Sequence, residues 1–157
     1  MENNLTHLGS GGTRYHFDSP DRGILEAFKT PRQGEYFVVG LECFEFTSVC
    51  PITGQPDFGQ IHIAYVPGDR CVESKSLKLY LGAFRNYGAF HEDCVNKIAE
   101  DLAAVIDPVF IRVLGDFNVR GGIAIRPLAL KWRSSFPKAQ KEVVAEMMDN
   151  YDRLSRR

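Results

Sequence analysis

The spacing of apolar residues along this chain changes period twice, and that change limits the fold more than any other feature. In "EYFVVGLECFEFTSV" Phe37, Val39, Leu41 and Cys43 alternate with Tyr36, Val38, Gly40 and Glu42, and in "QIHIAYVP" Ile61, Ile63 and Tyr65 alternate with Gln60, His62 and Ala64. Alternation sends successive side chains to opposite faces of a strand. The pattern predicts strands over about 35–48 and from residue 60 onward, paired antiparallel across the loop between them.

From residue 74 the period lengthens. Leu77, Leu81 and Phe84 share one face of a helix predicted over 74–86, while Lys75, Lys78 and Arg85 give it a basic flank. Val95, Ile98, Ala99, Leu102 and Ile106 repeat every three or four residues in a second helix over 91–106, with Glu92 and Asp93 in its first turn and Asp107-Pro108 at its end. "VFIRVLGDF" and "GIAIRPLAL" then flank "NVRGG" and predict another antiparallel pair, at about 109–117 and 122–130. The order is β-β-α-α-β-β, an α+β fold with an antiparallel sheet and helices on one face.

Such a sheet leaves two edges open, and copies of the chain joining edge to edge into a ring remove both. A symmetric homo-oligomer is therefore expected. Residues 1–33, rich in Gly, Ser, Pro and charge, read as an N-terminal arm; residues 34–132 form the sheet-and-helix domain. Residues 133–157 read as a peripheral C-terminal helix with Val143, Met147 and Leu154 near one stripe.

The rest of the composition narrows the partners. No apolar run approaches the roughly 20 residues that span a bilayer, and "MENNLTHLGSGG" lacks the basic start and apolar core of a signal peptide, so the cytoplasm is the expected compartment. A net charge of −1 provides no general basic surface for nucleic acid. Cys43, Cys50, Cys71 and Cys94 include no C-x-x-C pair, which argues against structural zinc and for free thiols.

Four groups of residues are candidates for chemistry. Cys50 stands at the mouth of the turn-rich stretch "VCPITGQPDFG", with Asp57 further along; a thiolate nucleophile and an acid fit there, and so do a packed cysteine and an ordinary turn aspartate. "ESKSLK", Glu73 to Lys78, sets two lysines and two serines at a helix start, suited to phosphates or simply to solvent. "FHED" places an aromatic ring, an imidazole and a carboxylate together at Phe90, His91 and Glu92, a set that matches a planar heterocycle with N–H donors, or a plain first helical turn. Arg120 lies in the "VRGG" turn, where Gly121 and Gly122 permit close approach of a phosphate.

Taken in order, "TSVCPITGQPDFG", "ESKSLKLY", "FHEDC" and "RGGI" resemble the short, single-module form of the 7-cyano-7-deazaguanine reductases, the NADPH-dependent nitrile reductases of queuosine biosynthesis. The resemblance runs from about Leu8 to about Ile125 and leaves out the C-terminal segment. It implies a tunnelling fold closed into rings, two stacked pentamers in the short members, with sites at subunit interfaces and no catalytic metal. It implies that Cys50 adds to the nitrile carbon as a thioimide and that Asp57 supplies a proton. Glu92 and His91 would bind the deazaguanine edge, Phe90 would stack on it, and the backbone of Val72, Glu73 and Ser74 would close the pocket. Lys75, Lys78 and Arg120 would contact the phosphates of NADPH, two of which are used per turnover.

Cys94, two residues after Glu92, is a candidate for a reversible disulfide with Cys50. Three other readings stand beside the reductase. A zinc-dependent cyclohydrolase of the same fold would need a Cys/His cluster, a nitrile hydrolase would release ammonia without NADPH, and a deazapurine-binding module would hold the ligand without reducing it.

Overall fold

The computed structural model describes residues 15–155. Its centre is a four-stranded sheet of order β2-β3-β5-β6, with β2 at Val39–Val49, β3 at Pro56–Val66, β5 at Phe110–Phe117 and β6 at Leu128–Trp132. Every neighbouring pair is antiparallel. A second, two-stranded sheet joins β1, Ala27–Lys29, to β4, Arg70–Val72, so part of the N-terminal arm is tied to the body by backbone pairing. Ahead of it, residues 22–24 form one 3-10 turn whose Gly23 amide donates to the Asp21 carboxylate.

Two strand boundaries differ from expectation for local reasons. β3 starts at Pro56, earlier than predicted, because the ladder with β2 continues down to Val49 and takes Asp57 out of the loop. β6 starts only at Leu128, since Gly121 and Gly122 adopt φ 58° and 81° in the turn and Pro127 has no amide to give a ladder. The intervening segment still follows β5, with Phe117 N–H donating to Ile125 O and Gly115 N–H to Pro127 O.

Within β2 the pairing shifts between Cys43 and Phe46: Cys43 faces Ile61, while Phe46 faces Gly59. One extra residue is therefore accommodated in β2, a β-bulge. Before it, the odd positions Leu41 and Cys43 face the helices; after it, the even positions Phe46 and Ser48 do. The change of parity carries on towards Cys50, which would otherwise follow the solvent-facing set.

Helix α1, Ser74–Gly82, and helix α2, His91–Ile106, cover one face. Leu77, Tyr80, Val95, Ile98 and Leu102 pack there on Ile61, Ile63, Tyr65, Ile111 and Val113, and the Tyr80 hydroxyl donates to Asp101, joining the helices. α1 stops at Gly82, short of residue 86, because residues 83–87 tighten into turns that bury Phe84. α2 ends on Asp107, whose left-handed φ of 41° turns the chain into Pro108.

Helices on one face only was the expectation; helix α3, Lys141–Ser155, corrects it. Val144 and Met148 pack with Ala64, Val66, Val109 and Phe110, and β3 alternates so that Ala64 and Val66 point away from the face that Ile63 and Tyr65 share with α1 and α2. The apolar stripe of α3 is Val144, Met148 and Tyr151, one step round from the predicted Val143, Met147 and Leu154; Val143 and Leu154 are exposed. The Arg112–Asp152 ion pair fastens the helix to β5. Among the described residues no helix is long and apolar enough to cross a membrane.

Candidate active site

The end of β2 is held from the side by the link between α1 and α2. Val49 N–H donates to Tyr87 O, and Ala89 N–H donates to Val49 O. This clasp sets the first turn of α2 against the β2–β3 loop. Cys50 follows directly, half-buried, in a turn closed by Cys50 N–H to Gln55 O at 2.9 Å and Gly54 N–H to Cys50 O at 2.9 Å. Gly54 takes φ 67° there, a conformation that glycine adopts without steric penalty.

The turn also prepares the thiol. The Thr53 hydroxyl, then the backbone amides of Thr53 and Ile52, stabilise the thiolate, and the charge of Arg120 adds to them; together they hold Cys50 below its ordinary thiol value. Thr53 was not singled out from the sequence, although a threonine three places after a cysteine in a Pro/Gly turn is the signal that would have found it.

Asp57 pairs with Ser48 across the ladder and, being on the inward parity of β3, is only 3% exposed. Two cationic or potentially cationic groups meet it. Arg120 Nη1 donates to Oδ1, and its Nη2 donates to Gln55 Oε1 at 2.5 Å. His91, the first residue of α2, brings Nε2 to 3.3 Å from the same Oδ1 without the alignment of a hydrogen bond. The His91 ring lies flat on Phe117, with centroids 3.9 Å apart and planes 17° from parallel. Gln55 and Phe117 are further residues that sequence reasoning missed; each acts through a partner distant in the chain.

Cys50, Asp57, His91 and Arg120 thus come together from three elements and a turn. Cys94 lies one turn further along α2, fully buried, where desolvation pushes its thiol up to about 11. Contact with the Ser48 hydroxyl opposes that rise, and the charges of Asp93 and Asp57 add to it.

The other candidates stand elsewhere. Phe90 occupies the position before α2 with 53% exposure, and Glu92 is exposed on the first turn. Glu73 is buried as the cap of α1, its carboxylate accepting from Lys75 N–H at 2.8 Å and Ser76 N–H at 2.6 Å. The backbone donors of Val72 and Glu73 are engaged inside the chain, by the Tyr65 hydroxyl and by Glu26 O. Ser74 and Lys78 line a cavity of about 570 Å³ between α1, β2 and the arm, with Tyr15, Phe17 and Arg85. Cys50, Asp57, His91, Glu92 and Arg120 are not part of its lining. Among the described residues no three His, Cys, Asp or Glu side chains are grouped to hold a metal ion.

Comparison with known proteins bears on what this cluster does. Residues 56–135 match the family described as QueF-like protein. The chain is 52% identical over 141 residues to the NADPH-dependent 7-cyano-7-deazaguanine reductase of Parabacteroides distasonis, covering 89% of this chain and 87% of that protein. It is 52% identical over 123 residues to the enzyme of the same name from Streptococcus mutans, covering 78% and 75%. In fold it is similar to a crystal structure of the archaeosine synthase QueF-Like in the apo form, with a TM-score of 0.56, 21% identity, and coverage of 60% of this chain and 92% of the other. With half its length inside the family match and relatives this similar over most of both chains, the protein belongs to the family of NADPH-dependent 7-cyano-7-deazaguanine reductases.

Proposed function

We propose that this chain reduces the nitrile of 7-cyano-7-deazaguanine to the primary amine of 7-aminomethyl-7-deazaguanine, a four-electron step in queuosine biosynthesis, through a thioimide on Cys50. The names of its relatives support the substrate and the reductant. The observation that carries the mechanism is the placement of an acidified Cys50 thiol in a cluster with buried Asp57, His91 and Arg120.

The Cys50 thiolate adds to the nitrile carbon while Asp57 gives a proton to the nitrile nitrogen, so that no free anion forms on it. NADPH, when bound, supplies one hydride to the thioimide carbon and, from a second molecule, one to the imine. Between these steps the thiohemiaminal expels Cys50 as thiolate and leaves the imine. His91 stands ready to pass a proton to Asp57 after each delivery. Phe117 keeps the imidazole flat and oriented. Glu92 accepts from the N–H edge of the deazaguanine and Phe90 offers a ring to stack on it, which suits their exposure at the start of α2.

The donor chemistry beside α1 fits a dinucleotide. Lys78 and Arg85 supply cations, Ser74 a hydroxyl, and the stacked Tyr15 and Phe17 rings, 5.9 Å apart, supply flat apolar surface. Lys75, Lys78 and Arg120 would hold its phosphates. Because Lys78 lines that cavity while Arg120 belongs to the Cys50 cluster, which does not line it, we place the complete site where neighbouring subunits meet in a ring, a decamer of two pentamers.

NADPH oxidation measured alongside amine formation tests the reading. Two NADPH consumed per amine, with no turnover in Cys50→Ala, is the expected result. Binding of the nitrile without any NADPH oxidation by the wild-type protein would instead assign a binding module.

A further inference from the structure

One wall of the cavity beside α1 is built from parts that lie far apart in the chain. Arg85 follows Lys78 by seven residues, just past the end of α1, and both side chains line the cavity. Among the described residues neither is paired with a carboxylate. Arg85 instead lays its guanidinium over the Phe17 ring, 5.9 Å from the centroid. The backbone fixes that contact, since Asn86 N–H, the next residue along, donates to Phe17 O. Tyr15 stacks on Phe17, with centroids 5.9 Å apart and planes 10° from parallel, and both rings stay exposed.

Two flat rings left in water beside an unneutralised guanidinium match a ligand that is itself a flat heteroaromatic ring with a phosphate close by. The opposite wall gives the ligand a direction. It comes from β2 and brings Glu42, which His62 engages, and Glu45, so anionic groups belong on the α1 side with Lys78 and Arg85. The volume of about 570 Å³ is in the range of small-ligand sites. Which end of a dinucleotide it takes follows from the chemistry: the hydride must reach a carbon held on Cys50, and Cys50 does not line this cavity. The nicotinamide therefore lies elsewhere, and the adenosine end remains.

We propose that the cavity beside α1 is the subsite for the adenosine 2′-phosphate end of NADPH, with Tyr15 and Phe17 supplying the surface on which adenine stacks and Arg85 reading the 2′-phosphate. The proposal rests on the reductase reading above. A guanidinium lying over a ring keeps its N–H edges free, so Arg85 can hold Phe17 and donate two hydrogen bonds to a phosphate at once. An arginine beside the adenosine ribose accommodates the 2′-phosphate in dinucleotide sites of other folds as well. Lys78, nearer the start of α1, is left for the pyrophosphate, and Arg85 becomes the residue that separates NADPH from NADH.

The test is calorimetric titration of adenosine 2′,5′-bisphosphate into the assembled protein, with adenosine 5′-monophosphate alongside; the first carries the adenine and the 2′-phosphate without a nicotinamide. Wild type should bind the bisphosphate roughly tenfold tighter or more. Arg85→Gln should weaken the bisphosphate roughly tenfold to a hundredfold and the monophosphate far less, and the NADPH-over-NADH ratio of kcat/KM should fall by a similar factor. Phe17→Ala should weaken both nucleotides alike, and Phe17→Trp should restore them, which a general loosening of the arm would not allow. If the alanine variant does not fold, Arg85→Gln still decides. A wild-type protein that oxidises NADPH but binds the two nucleotides equally, or an Arg85→Gln variant that keeps its NADPH preference, would overturn the proposal and leave the reductase reading intact. Absence of any NADPH oxidation by the wild-type protein would remove that reading and the proposal with it.

Discussion

The acidity of Cys50 comes chiefly from its own turn, and the largest single contribution is the Thr53 hydroxyl. Thr53→Val keeps the side-chain shape and removes the hydrogen bond. The rate of Cys50 alkylation by iodoacetamide should rise with pH through a midpoint that lies higher in the variant, since the thiolate has lost a donor; an unchanged midpoint would assign the acidity to the backbone amides and Arg120 alone. Cys94 is the opposite case, a thiol that burial pushes up to about 11 and so keeps protonated at neutral pH. It is a poor target for oxidants but can still capture an oxidised neighbour: Cys50 sulfenic acid and the Cys94 thiol would condense to a disulfide with loss of water. Peroxide treatment followed by non-reducing peptide mapping should yield a Cys50–Cys94 peptide, and Cys94→Ser should instead accumulate sulfinic acid at Cys50. At this scale the sequence displayed residues that the fold brings together, because Cys50, Asp57 and His91 stand out by type and by turn context. It did not display Gln55 or Phe117. Their roles arise from contacts with Arg120 and His91 that only the folded chain brings about.

Among the elements, the β2 bulge does most to assemble the site. Alternation through "LECFEFTSV" reads as one unbroken strand, and the only trace of the insertion is that apolar Cys43 and Phe44 are adjacent while Phe46 follows at an even position. Strand existence was legible because period two is a strong signal; the parity change was not, since it depends on pairing with β3. The α3 stripe was misjudged by one step for a similar reason: Val143 and Val144, or Met147 and Met148, are equivalent until the opposite sheet face selects one set. Opposite the bulge, Gly59 leaves no room for a side chain. A Cβ there would sit 2.8 Å from Asp116 O and 3.0 Å from the Phe117 Cα, both backbone atoms that cannot swing aside. Gly59→Ala should therefore lower stability by about 1–3 kcal/mol in urea unfolding, and the displaced Phe117 should loosen the stacked His91. A wild-type urea midpoint in that variant would show that β3 and β5 separate more easily than their register suggests.

For the whole molecule, two features point the same way. β2 and β6 are the edges of the four-stranded sheet among the described residues, and β2 is long, with the Phe44 side chain 65% exposed at the bulge. A long edge of this kind invites a partner strand. The chemical groups are also divided, with Lys78 in the cavity beside α1 and Cys50 in the cluster at the far end of β2. If neighbouring chains close the ring through these edges, one subunit brings the thiol and the next brings the phosphate contacts to a shared site. Mixed assembly makes this testable with two variants that are each inactive, Cys50→Ala and Lys78→Glu. Co-refolding or co-expression of the two should produce rings in which some interfaces combine an intact Cys50 with an intact Lys78, and NADPH oxidation should reappear although neither parent has it. Mixing the two after separate assembly should give nothing unless subunits exchange. If co-assembled rings stay inactive while incorporating both chains, both residues act within one subunit, and the arm and α1 must then move toward the β2–β3 turn to complete the site.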